Sequence, residues 1–259
     1  MSNHIEIISE PEKVDMADSW FELADPNHFW SKGRLRAIFK NGLLDTLNNN
    51  KVLEVGCGSG LVINQFNHYP NVALDGCDLN MFAMEQIGKM NGNLYCLNIY
   101  DKPEKLLNQY KGVLLMDVIE HIEDDTDFVQ TCTHYLKEDG LIVINVPALN
   151  ALYSKYDKVD GHKRRYDKKR IRAIFKACNL EEVDIRYWGF TLLPLIFIRK
   201  YILHFVSEEK AISTGFKPPH KLFNWFFDKL LRLEEAIFAS PVRGTSLIAI
   251  GRVTKPNKN

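Results

Sequence analysis

From residue 51 onward, short apolar runs alternate with stretches of helical length, the pattern of a parallel sheet covered by helices. Runs at 51–55, 72–77, 92–97, 111–116 and 141–146 predict five successive strands. Within 125–137, Phe128, Cys132, Tyr135 and Leu136 recur at helical spacing, and Gly140 is expected to close that helix. A polar loop then leads to a helix over 168–178, a strand over 182–187 and a last strand over 245–253. Between those two strands lies an insertion longer than a plain sheet connection needs. Its pattern is apolar and helical, with Pro194, Pro218 and Pro219 expected to break it. Its second half carries Phe223, Phe226, Phe227, Leu230, Leu233 and Ile237 at spacings of three and four, one apolar stripe that either packing on the sheet or lying on a membrane would satisfy. The chain therefore divides into an N-terminal helical cap (1–50), a core (51–190), the insertion (191–244) and a final strand with its tail (245–259).

Composition narrows the function classes. The 259 residues carry 33 Lys and Arg against 33 Asp and Glu, and 46% are hydrophobic. That is an ordinary globular profile, which argues against disorder and against a generally basic nucleic-acid binder. Five cysteines, odd in number and without a C-x-x-C pair, indicate neither a disulfide framework nor a zinc site, and a reducing cytoplasmic setting fits them. The longest apolar stretch, Tyr187 to Ile198, falls short of the roughly 20 residues of a spanning helix. The first residues lack the basic and apolar leader of a secretory signal, so a peripheral position at the inner face of a membrane is the closest lipid contact expected. The neutral total conceals a local imbalance: nine basic residues against three acidic ones from Lys155 to Arg172, a segment expected to favour a phosphate, a pyrophosphate or an anionic membrane surface.

The most informative stretch is Val52-Leu-Glu-Val-Gly-Cys-Gly-Ser-Gly60, a strand running into three glycines spaced two apart and then a helix beginning near Leu61. Glycine lets backbone approach a ligand closely, and open α/β sheets bind ligands at this carboxyl edge. In the dinucleotide fingerprint G-x-G-x-x-G the third glycine would stand where this chain has Leu61, and acidic Glu54 precedes the first glycine. Both departures point toward a ligand with a cationic head group rather than a pyrophosphate.

With this motif the sequence resembles the class I S-adenosylmethionine-dependent methyltransferases, whose first motif has the form acid-x-Gly-x-Gly-x-Gly. Asp78 after the second strand, Leu97-Asn-Ile99 after the third and Met116-Asp-Val-Ile-Glu-His-Ile122 after the fourth extend the likeness. The resemblance implies an α/β, Rossmann-like fold: a seven-stranded, mostly parallel sheet with helices on both faces and a helical insertion before the last strand. It also implies S-adenosylmethionine as cofactor. Gly56, Cys57 and Gly58 would pass under its methionine part, with Glu54 near the sulfonium and amino end. Asp78 would take the ribose hydroxyls, with Leu79 beside it; Asn98 would face the adenine amine and Ile99 the ring. Asp117 and Val118 would border the methionine moiety through the backbone.

A second stretch, 152–166, resembles a segment near the ubiquinone-biosynthesis O-methyltransferases and bacterial lipid or polysaccharide-pathway methyltransferases. So does the opening Asn27-His-Phe-Trp-Ser-Lys-Gly-Arg34, in which Trp30 and Arg34 stand one helical turn apart and Arg34 is placed to neutralise the cofactor carboxylate. The likeness implies that Tyr153, Tyr156, Arg165 and Tyr166 contact a small, hydrophobic or lipid-linked acceptor. If the acceptor is a hydroxyl, His162 is the first candidate for a base and His121 the second, since histidine titrates near operating pH. The acids Glu120, Glu123 and Asp124 beside His121 read as an ordinary helix start, so no metal is expected. The readings left open are methylation of RNA or protein, a catalytically silent cofactor-binding scaffold and, more distantly, a nicotinamide oxidoreductase. The absence of an appended nucleic-acid module makes a nucleic-acid partner unexpected.

Overall fold

The computed structural model describes residues 4–12, 25–205 and 220–254. Eight strands form one sheet in the order β1-β4-β3-β2-β5-β6-β8-β7. They are β1 (Ile5–Ile7), β2 (Lys51–Val55), β3 (Ala73–Asp78), β4 (Leu94–Cys96), β5 (Tyr110–Met116), β6 (Leu136–Pro147), β7 (Leu180–Trp188) and β8 (Ser246–Val253). All neighbours are parallel except β8, which runs antiparallel to both β6 and β7. Alternate strand residues feed two cores. Leu53, Val113, Leu115, Ile142 and Ile144 pack with Phe128 and Val129 of α5 (Asp125–Thr133) and Ile171 and Phe175 of α7 (Lys168–Ala177). Val52, Leu114, Val143 and Ile250 pack on the other face with Ile38 of α1 (Phe29–Phe39), Leu47 of α2 (Leu43–Leu47) and Ile63 and Phe66 of α3 (Leu61–Phe66). Both faces are thus covered, which is why the strands read as near-continuous apolar runs.

Two boundaries differ from expectation. The eighth strand, β1, lies inside the expected N-terminal cap and adds to the edge of the sheet beside β4, with Ile5 opposite Leu94. Three residues with an exposed Ile7 leave no pattern to read. The helix expected over 125–137 stops at Thr133, because Leu136 already pairs with Tyr110 and the Tyr135 hydroxyl donates to the Ile99 carbonyl at 2.8 Å. Residues 137–140 then bulge before Leu141 pairs with Gly112, so Gly140 serves a strand irregularity instead of a helix end.

The insertion holds α8 (Leu193–His204) and α9 (Lys221–Ile237). Pro194 sits in the first turn of α8, where its missing N–H costs nothing, so it starts a helix and does not break one. Pro218 and Pro219 lie outside the described residues, as does most of the tail. The apolar stripe of α9 faces outward: Phe223, Phe226, Leu233 and Ile237 are exposed. The inward face is largely polar. Asn224 Oδ1 accepts from Phe29 N at 2.7 Å, and Arg36 pairs with Asp228 and Glu235, each at 2.8 Å. The buried Glu234 carboxylate accepts from the backbone N–H groups of Gly189, Phe190 and Thr191 at 2.8–3.0 Å. Only Leu231 enters deeply, 1% exposed, over Gly33 of α1, where an added Cβ would come within 2.6 Å of its Cδ1. Between β6 and α7, short helix α6 (Lys155–Val159) returns the chain over the carboxyl edge of the sheet.

Candidate active site

The carboxyl ends of β2, β3, β4 and β5 meet at a cavity of about 930 Å³, roofed by α1 and by the segment around α6, and walled by α8. At the end of β2, Gly56 takes φ +73°, and a Cβ there would sit 2.8 Å from Val118 Cγ2, so glycine is required twice over. Its N–H donates to the Cys77 carbonyl at 2.8 Å, tying the turn to β3. Asp78 ends β3 with its carboxylate at the cavity, accepting from Gly58 N at 2.8 Å and Asn80 N at 2.9 Å. The cap of the next helix, α4 (Met81–Met84), is Asn80, which leaves a lone pair on each Asp78 oxygen for a ligand. Asn98 caps the short turn after β4, and Ile99 lies beside it in the cavity wall. Arg34 reaches in from α1, stacked 4.9 Å over Trp30, and pairs with Asp117 through Nη1 at 2.7 Å. Asn145 Nδ2 in turn donates to Asp117 Oδ1 at 2.8 Å, and Trp188 Nε1 donates to Asn145 Oδ1 at 3.0 Å. Buried without a partner at this edge are Arg34 Nε and Nη2 and Glu54 Oε2. Burial pushes the Glu54 carboxyl up to about 8, against the nearby Arg34 charge.

On the other side stand Glu120, His121, Tyr156, Asp160, His162 and Arg199. His162 is gripped on both ring nitrogens, Nδ1 by Asp157 at 3.1 Å and Nε2 by Asp160 at 3.0 Å. Burial alone would lower its pKa, but those two hydrogen bonds and the Glu120 charge push it up to about 10. It is therefore an imidazolium at neutral pH. His121, ring to ring with it at 4.8 Å, is driven down to about 4 by burial and by the His162 charge, and stays neutral. Burial, with Asp117 nearby, raises the Glu120 carboxyl to about 8, and neither of its oxygens has a partner. Glu120, His121 and His162 bring ligand-type atoms within 4.8 Å of one another; Glu120 and His121 are neighbours in sequence, and the fold adds His162 to them. A metal there would have to displace the proton that Asp157 and Asp160 hold on His162.

A family model described as a methyltransferase domain matches residues 24–185, well over half the chain. The chain belongs to that methyltransferase family. It is 24% identical over 136 residues to a ubiquinone biosynthesis O-methyltransferase of Neisseria meningitidis, covering 49% of this chain and 56% of that protein. A namesake from Glaesserella parasuis is 27% identical over 151 residues, covering 52% of this chain and 62% of its own length. The chain thus spans little more than half the length of these relatives. Among solved structures, a SAM-dependent methyltransferase from Archaeoglobus fulgidus shares the fold with a TM-score of 0.55 at 17% identity, over 91% of this chain and all of that one.

The residues at the cavity fit S-adenosylmethionine, the cofactor that the motif resemblance implies. A zwitterionic, cationic methionine end needs an acid and a base, and Glu54 and Arg34 each present unpartnered buried atoms there. Of the residues expected to hold the cofactor, Trp30, Arg34, Glu54, Gly56, Cys57, Gly58, Asp78, Leu79, Asn98, Ile99, Asp117 and Val118 all line the cavity. The Asp117 N–H donates to the Asn145 carbonyl at 2.9 Å, and its carboxylate is held by Arg34 and Asn145.

The acceptor side of the methyltransferase departs further from expectation. Tyr156 and Arg165 border the cavity, but Arg165 is buried and paired with Asp157 at 2.7 Å. Tyr153 and Tyr166 do not line it. The Tyr153 hydroxyl donates to the His162 carbonyl at 2.7 Å, and the fully buried Tyr166 hydroxyl lies 2.8 Å from Asp125. The basic segment is largely neutralised from within: Arg164 and Arg170 pair with Asp125, Arg172 with Glu182 and Lys163 with Glu123. These pairs brace the loop and occupy five of the nine basic residues expected to favour an anion, Arg165 included. Asp157, Asp160, Asn145, Trp188 and Arg199 were not singled out from the sequence. Their spacing to the motifs carries no signature, since the fold alone brings them together.

Proposed function

We propose that this methyltransferase transfers a methyl group to a hydroxyl of a small, hydrophobic or lipid-linked acceptor at the cytoplasmic face of a membrane. The observation that carries the reading is the single cavity running from the Glu54 and Asp78 edge to an apolar wall of Leu195, Ile196 and Ile202 on α8. At about 930 Å³ it stands near the top of the roughly 300–1,000 Å³ range of small-molecule sites, room for cofactor and acceptor together.

Held at this edge by Arg34, Glu54 and Asp78, S-adenosylmethionine would supply a methyl group on a sulfonium, whose sulfur would keep the bonding electron pair as the acceptor oxygen takes the methyl. Arg34 and Glu54 orient the charged end of the donor, and Asp78 the ribose. Both ring nitrogens of His162 are held by carboxylates, which closes the base role expected of it; His121, the second candidate, stands in the cavity wall and receives the hydroxyl proton. His162, locked by two carboxylates, fixes the loop. The apolar wall excludes water from the in-line displacement. Tritiated methyl S-adenosylmethionine, incubated with the protein and a bacterial lipid and phenol extract, tests this. Label is expected in the organic phase as an alkali-stable methyl ether; label in RNA or protein, or in no fraction, would overturn the reading.

A further inference from the structure

The two insertion helices turn an unusual face to the outside. On α8, Phe197, Tyr201 and Phe205 are exposed, and on α9 Phe223, Trp225 and Phe226. A surface helix ordinarily buries its apolar stripe, yet α9 buries Glu234 against the turn after β7 and turns the half-buried Asp228 and Glu235 to Arg36. This sorts its charges. Asp228, Glu234 and Glu235 all make contacts toward the protein, Asp228 also pairing with Arg232 at 3.1 Å, while Lys221 and Lys229 are exposed beside the outward aromatics. The two charged residues of α8 turn inward, Arg199 into the cavity wall over Tyr156 and Lys200 to the Ala151 carbonyl at 2.7 Å. The outer surface is therefore apolar on α8 and apolar and cationic on α9, without an exposed acid on either, which complements an anionic lipid surface and mismatches an acid-rich protein face. Neither helix is long and apolar enough to cross a membrane.

The inner side of the same helices completes the picture. Leu195, Ile198 and Ile202 of α8 and Phe227 of α9 line the large cavity. The two helices share one small cluster, Phe29, Leu192 and Leu231, on which Leu195 and Phe227 pack, and Leu203 of α8 is buried against Tyr156 of α6. One layer of helix thus separates the outer apolar surface from the acceptor end of the active site.

We propose that α8 and α9 seat their outward faces in the headgroup region of an anionic membrane, so that an apolar acceptor reaches the cavity directly from the lipid. The proposal rests on the apolar-acceptor reading above and assigns its membrane contact to the insertion helices, away from the basic segment at 155–172. Flotation with vesicles of equal parts phosphatidylcholine and phosphatidylglycerol, and with pure phosphatidylcholine, tests it. Wild type is expected to float with the anionic vesicles and far less with the neutral ones. The paired Phe197→Glu and Phe226→Glu variant, whose changed residues lie outside the cavity lining, is expected to bind at least tenfold more weakly with unchanged melting and cofactor affinity. Lys229→Glu should weaken binding roughly fivefold or more. No flotation of wild type, an unaffected paired variant, or a wild-type dimer that this variant splits would overturn it, the last assigning the face to a second copy of the chain. Label transfer to the lipid fraction in detergent micelles is measured in parallel. Transfer without flotation sinks the membrane face alone, whereas flotation without transfer sinks the acceptor reading.

Discussion

Glu54 is a carboxyl in a place where it is held largely neutral until a cation arrives. Its pKa of about 8 comes from burial, and a sulfonium and ammonium beside it would favour the ionised form. Cofactor affinity should therefore rise with pH and level off above about pH 8, and binding at neutral pH should release a proton. Calorimetry in buffers of differing ionisation enthalpy measures both, and Glu54→Gln should weaken binding and flatten the profile. The two histidines divide their labour by environment. With the folded pKa of His162 raised to about 10, its contribution to stability is complete below its usual value of 6.5 and is lost as pH rises toward 10. His162→Gln should cost about 3 kcal/mol in urea denaturation near neutral pH, since it takes the cationic partner from the buried Asp160 carboxylate and leaves Asp157 only Arg165 and Ser154, and should remove the alkaline part of the stability slope. His121→Ala should instead leave stability nearly intact and lower kcat about a hundredfold in the label-transfer assay. With a pKa of about 4 for His121, the wild-type rate should show no acid limb near pH 6.5.

At the scale of elements, α9 shows how polar contacts can fix a helix that apolar burial does not. Glu234 satisfies three N–H groups of the turn after β7 as well as the Thr191 hydroxyl at 2.7 Å. Glu234→Ala should destabilise the protein by about 3 kcal/mol and Glu234→Gln by less, read as a shift of the urea midpoint. This orientation was not legible in the sequence, because an apolar stripe names a face without saying what it meets. The cofactor edge was legible, because a strand, a glycine turn and the acids after successive strands are local patterns with local causes. The end of α5 was not, since Tyr135 and Leu136 satisfy a helical period and a strand pairing equally. Nor was β1, whose three residues owe their strand to the edge of β4 and to Ser9, which accepts from Asn98 N and donates to Asp101. The partners of His162 were hidden for a related reason: a loop has no period, so spacing could not announce that Asp157 and Asp160 close on one ring.

Across the whole molecule, the balance of 33 acids and 33 bases resolves into separate zones. The basic run at 155–172 is spent on internal acids, chiefly Asp125 and Asp157, and fastens the lid of the cavity. Unmatched positive charge stands instead on the outer surface of α9, beside exposed aromatics. Between these zones a continuous cavity joins a polar cofactor edge to an apolar acceptor wall, and every functional reading above depends on that edge taking S-adenosylmethionine. Calorimetric titration of S-adenosylmethionine into wild type and into Asp78→Ala tests this most directly. Saturable one-to-one binding that weakens at least ~tenfold in the variant is the predicted result; no heat with wild type, or equal affinity in Asp78→Ala, would contradict it.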